Sequence, residues 1–133
     1  MAACRRGVQV EIIVPGAETD NPLVRYSSRG KWGPLLKAGV KIYEYQPTMY
    51  HCKVMVVDDV WVTVGSANFD NRSVRLNDEA NMNVFSPDFA AEQSRVFEED
   101  KSKSEQVGYE EWKKRGLNKK ILEWLLAPFR SQL

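Results

Sequence analysis

The sequence is short of several things, and each shortage removes a class of protein. It holds one histidine, His51, and two cysteines, Cys4 and Cys52, among 133 residues. Two thiols and one imidazole cannot by themselves build a disulfide framework or a four-ligand zinc site. No run of eighteen apolar residues occurs, so no segment has the length of a transmembrane helix. The residues after Met1 carry no apolar stretch of signal-peptide length. Neither charge sign is in surplus. Nineteen Lys and Arg face eighteen Asp and Glu, for a formal charge of +1, which gives no overall basic field to argue for nucleic acid. Internal repeats and low-complexity segments are absent.

What is present is the mixture of an ordinary globular protein, 43% hydrophobic and 28% charged. The length suits one domain or part of a larger one. The near-neutral total hides an acidic middle and a basic end. Residues 61–100 carry three basic and eight acidic groups, and residues 101–133 carry eight basic and four acidic.

The periodicity alternates between strand and helix. Ala2 to Arg6 read as the end of a helix closed by Gly7. Val8, Val10, Ile12 and Val14 form a strand ended by Pro15-Gly16. A domain seldom opens on the last turn of a helix, so we expect something upstream. Residues 17–33 suit a short helix and a loop. Pro34 is placed to open another helix, stopped by Gly39. Val40 to Tyr45 make a second strand, and the helical segment between the two strands predicts a parallel pair. Residues 53–58 and 60–64 are two β-branched runs meeting at Asp58-Asp59, which predicts a tight antiparallel hairpin. Glu79 to Phe85 follow as a strand. Ser86-Pro87 then start a helix with Phe89, Ala90, Val96 and Phe97 on its inner side. The fold class expected is α/β, a mixed and mostly parallel sheet with an antiparallel hairpin and helices on both faces.

The lone histidine stands at the head of that hairpin. His51 and Lys53 are two residues apart and share a strand face. An ammonium beside an imidazole suits an anionic substrate: one pairs with an oxygen, the other reaches the central atom. Antiparallel pairing folds Gly65-Ser66-Ala67-Asn68 back beside them. Ser66 and Asn68 are neutral donors able to hold phosphate oxygens. Glu79 could accept the Nδ1 proton of His51 and free Nε2. Asp58 closes the spacing His-x-Lys-x-x-x-x-Asp, although a hairpin turn favours Asp for its own reasons.

His51-Cys52-Lys53 with Asp58, then Gly65-Ser66-Ala67-Asn68, resembles the HKD motif of the phospholipase D superfamily. Phe69-Asp70-Asn71-Arg72-Ser73, Asn77-Asp78-Glu79-Ala80-Asn81 and the lead-in Leu35 to Tyr45 resemble its cardiolipin synthase branch, and the chain is similar to the C-terminal of the two copies. Cys52 stands where the family usually has Gly or Ala. The resemblance implies a phosphatidyl transferase working through a phosphohistidine. His51 would be nucleophile or acid/base, with Lys53 and Asp58 beside it in the catalytic motif. Ser66 and Asn68 would bind phosphate, and Glu79 would orient a histidine. It implies no cofactor and no metal. The partners it implies are an anionic phospholipid and a second HKD half, from the same chain or a homodimer mate. It further implies a missing first strand before Ala2.

Residues 1–104 are expected to form the HKD domain and residues 105–133 a basic tail. Leu117, Ile121, Trp124 and Leu125 mark an amphipathic helix there. It could pack on the core, or lie on anionic lipid as a peripheral anchor on the cytoplasmic side. Two alternatives stay open: a single-motif phosphodiesterase or nuclease active as a homodimer, and a catalytically incomplete fragment.

Overall fold

The computed structural model describes residues 1–19, 22–68 and 77–116. They belong to two compact units, residues 1–50 with the segment from 103 onward, and residues 51–102. The amphipathic helix expected around Leu117 to Leu125 lies outside the described residues, as do Phe69 to Ser73.

In the first unit the helix α1 (Ala2–Arg5) ends as the sequence predicts. Gly7 takes φ +89°, and the Gly7 and Val8 amides donate to Cys4 and Ala3 carbonyls at 3.0 and 3.2 Å. Strand β1 (Glu11–Pro15) leads into α2 (Pro22–Arg29) and α3 (Trp32–Lys37), then β2 (Lys41–Tyr45). β1 and β2 are parallel, with Ile12 opposite Ile42. α3 opens at Trp32, two residues before the expected Pro34. Proline is tolerated in a first turn, where its missing N–H has no helical acceptor, and Trp32 is drawn in because it is buried.

One strand escapes the sequence pattern. Ser104–Gln106 form a short strand that pairs antiparallel with β2, numbered β6 after the strands of the second unit. The chain continues into a short helix, Tyr109–Lys114. The core of the unit is Trp32, Val40, Ile42 and Val107, with Ile12, Leu35, Leu36 and Trp112 packed against it. Trp112 lies over Gly33, where an added Cβ would stand 2.3 Å from the ring. Its indole N–H donates to the Arg29 carbonyl at 2.8 Å. Glu44 is buried between Arg25 at 2.8 Å and Arg29 at 2.5 Å.

The second unit holds the expected hairpin. β3 (Val54–Val57) and β4 (Trp61–Gly65) pair antiparallel around Asp58 and Asp59, which take φ 50° and 52°. Positive φ at both central residues matches the right-handed twist of the strands. β5 (Asn81–Phe85) pairs with the other edge of β4. α4 (Pro87–Ser102) is capped by Ser86, whose hydroxyl accepts from the Phe89 amide at 3.3 Å. The helix packs on β3 and β4, and Val62 and Ala90 are fully buried. Phe89 and Phe97 are half-buried, but Val96 is exposed. The inward stripe runs through Ala90, Gln93, Ser94 and Phe97 at helical spacing, and Val96 falls off it. On the outer side, the Arg95 guanidinium hydrogen-bonded to Glu92 holds that carboxyl below its usual range.

The expected mixed α/β class therefore holds. The strands fall into two three-stranded sheets, β1-β2-β6 and β3-β4-β5. Among the described residues one ladder is parallel and three are antiparallel, a smaller parallel share than the sequence suggested. The helices α2 and α3 join the parallel pair, β1 and β2. A three-residue turn, Asp58 to Val60, joins β3 to β4, and so short a turn can only serve an antiparallel pair.

Candidate active site

The first two site residues meet in the segment just ahead of β3. The Lys53 ammonium donates to His51 Nδ1 at 2.9 Å and to the His51 carbonyl at 2.9 Å. A lysine ammonium only donates, so Nδ1 acts as acceptor. The neutral ring then carries its proton on Nε2. The expected arrangement, with Nδ1 donating to a carboxylate, is replaced here by a cation on that nitrogen. His51 is exposed and Lys53 half-buried.

The loop after β4 lies beside this pair. The Gly65 amide donates to the Lys53 carbonyl at 3.2 Å, so the β3–β4 ladder extends one step past Val54. The register puts Lys53, Gly65 and Asn81 in one row across three strands. Gly65 leaves that row open. A Cβ there would stand 2.2 Å from both the Ala80 carbonyl oxygen and Asn81 Oδ1.

Ser66 meets Glu79. Its hydroxyl donates to Glu79 Oε2 at 2.5 Å and accepts from the Ala80 amide at 3.1 Å. The backbone repeats the tie, since the Ser66 amide donates to the Ala80 carbonyl at 3.1 Å. Asn77 donates to the other carboxylate oxygen of Glu79 at 3.2 Å. In this state Ser66 gives its hydroxyl proton to Glu79 and offers a phosphate only its remaining acceptor capacity. Asn68 is exposed two residues on, so its amide donors are open to an anion.

Asp58 is the site residue that the fold does not bring in. It lies in the turn at the far end of β3, roughly 15 Å from Lys53 at strand rise. Sequence reasoning gave Asn81 no role beyond its place in the Asn77–Asn81 segment. Its Oδ1 accepts from the Ala67 amide at 3.2 Å and its Nδ2 donates to Thr63 Oγ1 at 3.4 Å. The signal available was its place directly across from Gly65.

A cation–imidazole pair, a glycine-floored row and a serine–carboxylate contact thus stand at one end of the β3-β4-β5 sheet. Solved structures share the fold. Nuc, a phospholipase D family member from Salmonella typhimurium, superposes with a TM-score of 0.69 at 22% identity, over 80% of this chain and 69% of that one. Phosphatidylserine synthase from Haemophilus influenzae gives 0.69 at 18% identity, over 96% of this chain and 34% of that one. The family model described as "Cardiolipin synthase, PLD-like domain" matches residues 1–101, and the chain belongs to that family. Minor cardiolipin synthase ClsB of Bacillus subtilis is 41% identical over 92% of this chain and 31% of its own length. Cardiolipin synthase A of Erwinia tasmaniensis is 39% identical over 98% of this chain and 27% of its own length. The chain thus spans about a third or less of these curated relatives.

Proposed function

We propose that this chain is one half of a phosphatidyl transferase of the cardiolipin synthase type. The contact between Lys53 and His51 beside the Gly65–Asn68 loop carries the reading. In the scheme, one histidine attacks a phospholipid phosphorus and forms a P–N bond while the P–O bond to the leaving alcohol breaks. A second histidine protonates that alcohol. An acceptor alcohol then gives its proton to the second histidine and forms a P–O bond as the P–N bond to the first breaks, releasing the new phosphodiester.

His51 is assigned the proton-transfer role, as in the C-terminal copy of the motif that the chain resembles; to donate, its ring takes a proton on both nitrogens, which requires Lys53 to leave Nδ1 for a phosphoryl oxygen. Lys53 pairs with a phosphoryl oxygen, Asn68 donates to another, and Ser66 joins them once its hydroxyl turns from Glu79. Glu79 sets the polarity of the site through Ser66 and Asn77. Asp58 supports the motif from the hairpin turn. One imidazole cannot both attack and protonate, so the second histidine comes from a second HKD half, in the same full-length polypeptide or in a homodimer mate.

Among the described residues no helix is long and apolar enough to cross a membrane. We assign lipid contact to the basic tail, where Lys113 and Lys114 are exposed and anionic headgroups attract them. This would place the chain at the membrane surface, on the cytoplasmic side.

The test uses the full-length protein on phosphatidylglycerol vesicles. Cardiolipin should form, and His51→Ala should lower kcat by about 10³-fold or more. Wild-type turnover in the variant removes His51 from the chemistry. Cleavage of DNA without cardiolipin would replace the proposal with the nuclease alternative.

A further inference from the structure

We infer that Asn81 is a positioning residue for the phosphate side of the site, an inference that rests on the transferase reading above. β4 and β5 part company after the Gly65–Asn81 pair, and the chain turns into the loop that carries Ser66 and Asn68. The Ser66 amide still reaches the Ala80 carbonyl, and the amide after it, that of Ala67, needs another acceptor. The Asn81 side chain supplies it, its Oδ1 taking the Ala67 N–H at 3.2 Å.

The other end of the carboxamide is held too. Nδ2 donates to Thr63 Oγ1 at 3.4 Å, and Thr63 is buried on the same face of β4. These two bonds orient the amide, because only its oxygen can serve the Ala67 N–H. The missing side chain of Gly65 makes room for it. A Cβ there would stand 2.2 Å from Asn81 Oδ1.

Thr63, Gly65 and Asn81 therefore form one device. A buried hydroxyl fixes an amide, the amide crosses a bare glycine, and the amide pins the middle residue of a loop with a phosphate donor on either side. Lys53 is in the same row on the opposite side of Gly65. Asn81 touches neither the phosphate nor the histidine. It acts by holding Ala67, and through Ala67 the spacing of Ser66 and Asn68 from Lys53.

The full-length protein is assayed on phosphatidylglycerol and, as a soluble phosphodiester probe, on bis(p-nitrophenyl) phosphate. Asn81→Ala should lower kcat by about 10- to 100-fold, the cost of loosening a binding group by about an ångström, with KM changed less than about threefold. Its Ala67 amide should also lose hydrogen-exchange protection. Thr63→Val should give a smaller loss of the same kind, and the double variant should fall by less than the product of the two. Asn81→Asp keeps an acceptor for Ala67 and can accept from Thr63. It should recover most of kcat at a raised KM, because its charge faces the phosphodiester.

An active wild type with wild-type kcat in Asn81→Ala overturns the inference alone. So does an Asn81→Ala loss that tracks only a lowered Tm and is not recovered by Asn81→Asp. A wild type inactive on both substrates removes the transferase reading and takes this inference with it.

Discussion

Gly65→Ala separates two ways in which a glycine can be required. Gly65 does not have a positive φ, so a side chain there meets no torsional barrier. It meets atoms. The new Cβ would lie 2.2 Å from the Ala80 carbonyl oxygen, 2.2 Å from Asn81 Oδ1 and 2.7 Å from Asn81 Cα. An unstrained carbon–oxygen contact is about 3.3 Å, so this end of β5 must retreat by about 1 Å. The retreat loosens the Ser66–Ala80 backbone bond at 3.1 Å and the Ala67–Asn81 bond at 3.2 Å. Each is a hydrogen bond of about 1 kcal/mol, and overpacking adds about 1–3 kcal/mol. We expect a loss of about 2–4 kcal/mol and a Tm about 10 °C lower. The same movement displaces Ser66, so phosphodiester turnover should fall at least about tenfold at temperatures where the variant is folded.

Gly39→Ala is the control. Gly39 has φ +91° with nothing within 4 Å of an added Cβ. It should lose about 1–2 kcal/mol from torsion alone and keep full turnover. Circular dichroism melting of both variants, with kcat measured below both midpoints, decides the matter. If Gly65→Ala melts with the wild type and turns over normally, the close approach of β5 does not shape the site.

Two further changes probe the rest of the chain. Glu44→Gln leaves Arg25 and Arg29 facing each other without their shared carboxylate. Breaking a fully buried ion pair costs about 3–5 kcal/mol. The arginine side chains here keep 21% and 16% exposure, so about 2–3 kcal/mol is expected, read as a lower urea midpoint at unchanged m-value. Asp58→Asn should keep kcat within about threefold and Tm nearly unchanged, since asparagine also suits the left-handed turn. A kcat loss of about 10³-fold in that variant would put Asp58 in the chemistry despite its place at the far end of β3.

The hairpin was legible because two β-branched runs meet at a pair of aspartates, and only one short turn type fits them. The His51–Lys53 contact was legible for an equally local reason, the two-residue spacing, although the pair lies just ahead of β3 and not within it. What sequence could not yield depends on pairing across the chain. Ser104-Glu105-Gln106 has no strand pattern, and it becomes a strand because the free edge of β2 accepts it. Glu44 sits in an alternating run where an apolar residue would be unremarkable, and its burial makes sense only beside two arginines on α2. Asn81 closes the family-like segment Asn77 to Asn81, but the segment alone assigns it no role. Its role follows from standing across from a glycine at the point where two strands diverge. The cation on His51 Nδ1 was likewise hidden, because spacing gives proximity but not which atom of the ring is approached.

The first unit is discontinuous along the chain. Its sheet and core are built from residues 1–50 and completed by the segment from 103 onward, with the whole second unit inserted between. The family match stops at residue 101, before β6, Val107 and Trp112. A truncation at that boundary would keep every motif residue, yet it would strip β2 of its antiparallel neighbour, uncover Gly33 and leave the Arg29 carbonyl without its indole partner. The limits of the motif and the limits of what must fold together are different places in this polypeptide. The first unit can close only after the second has been made.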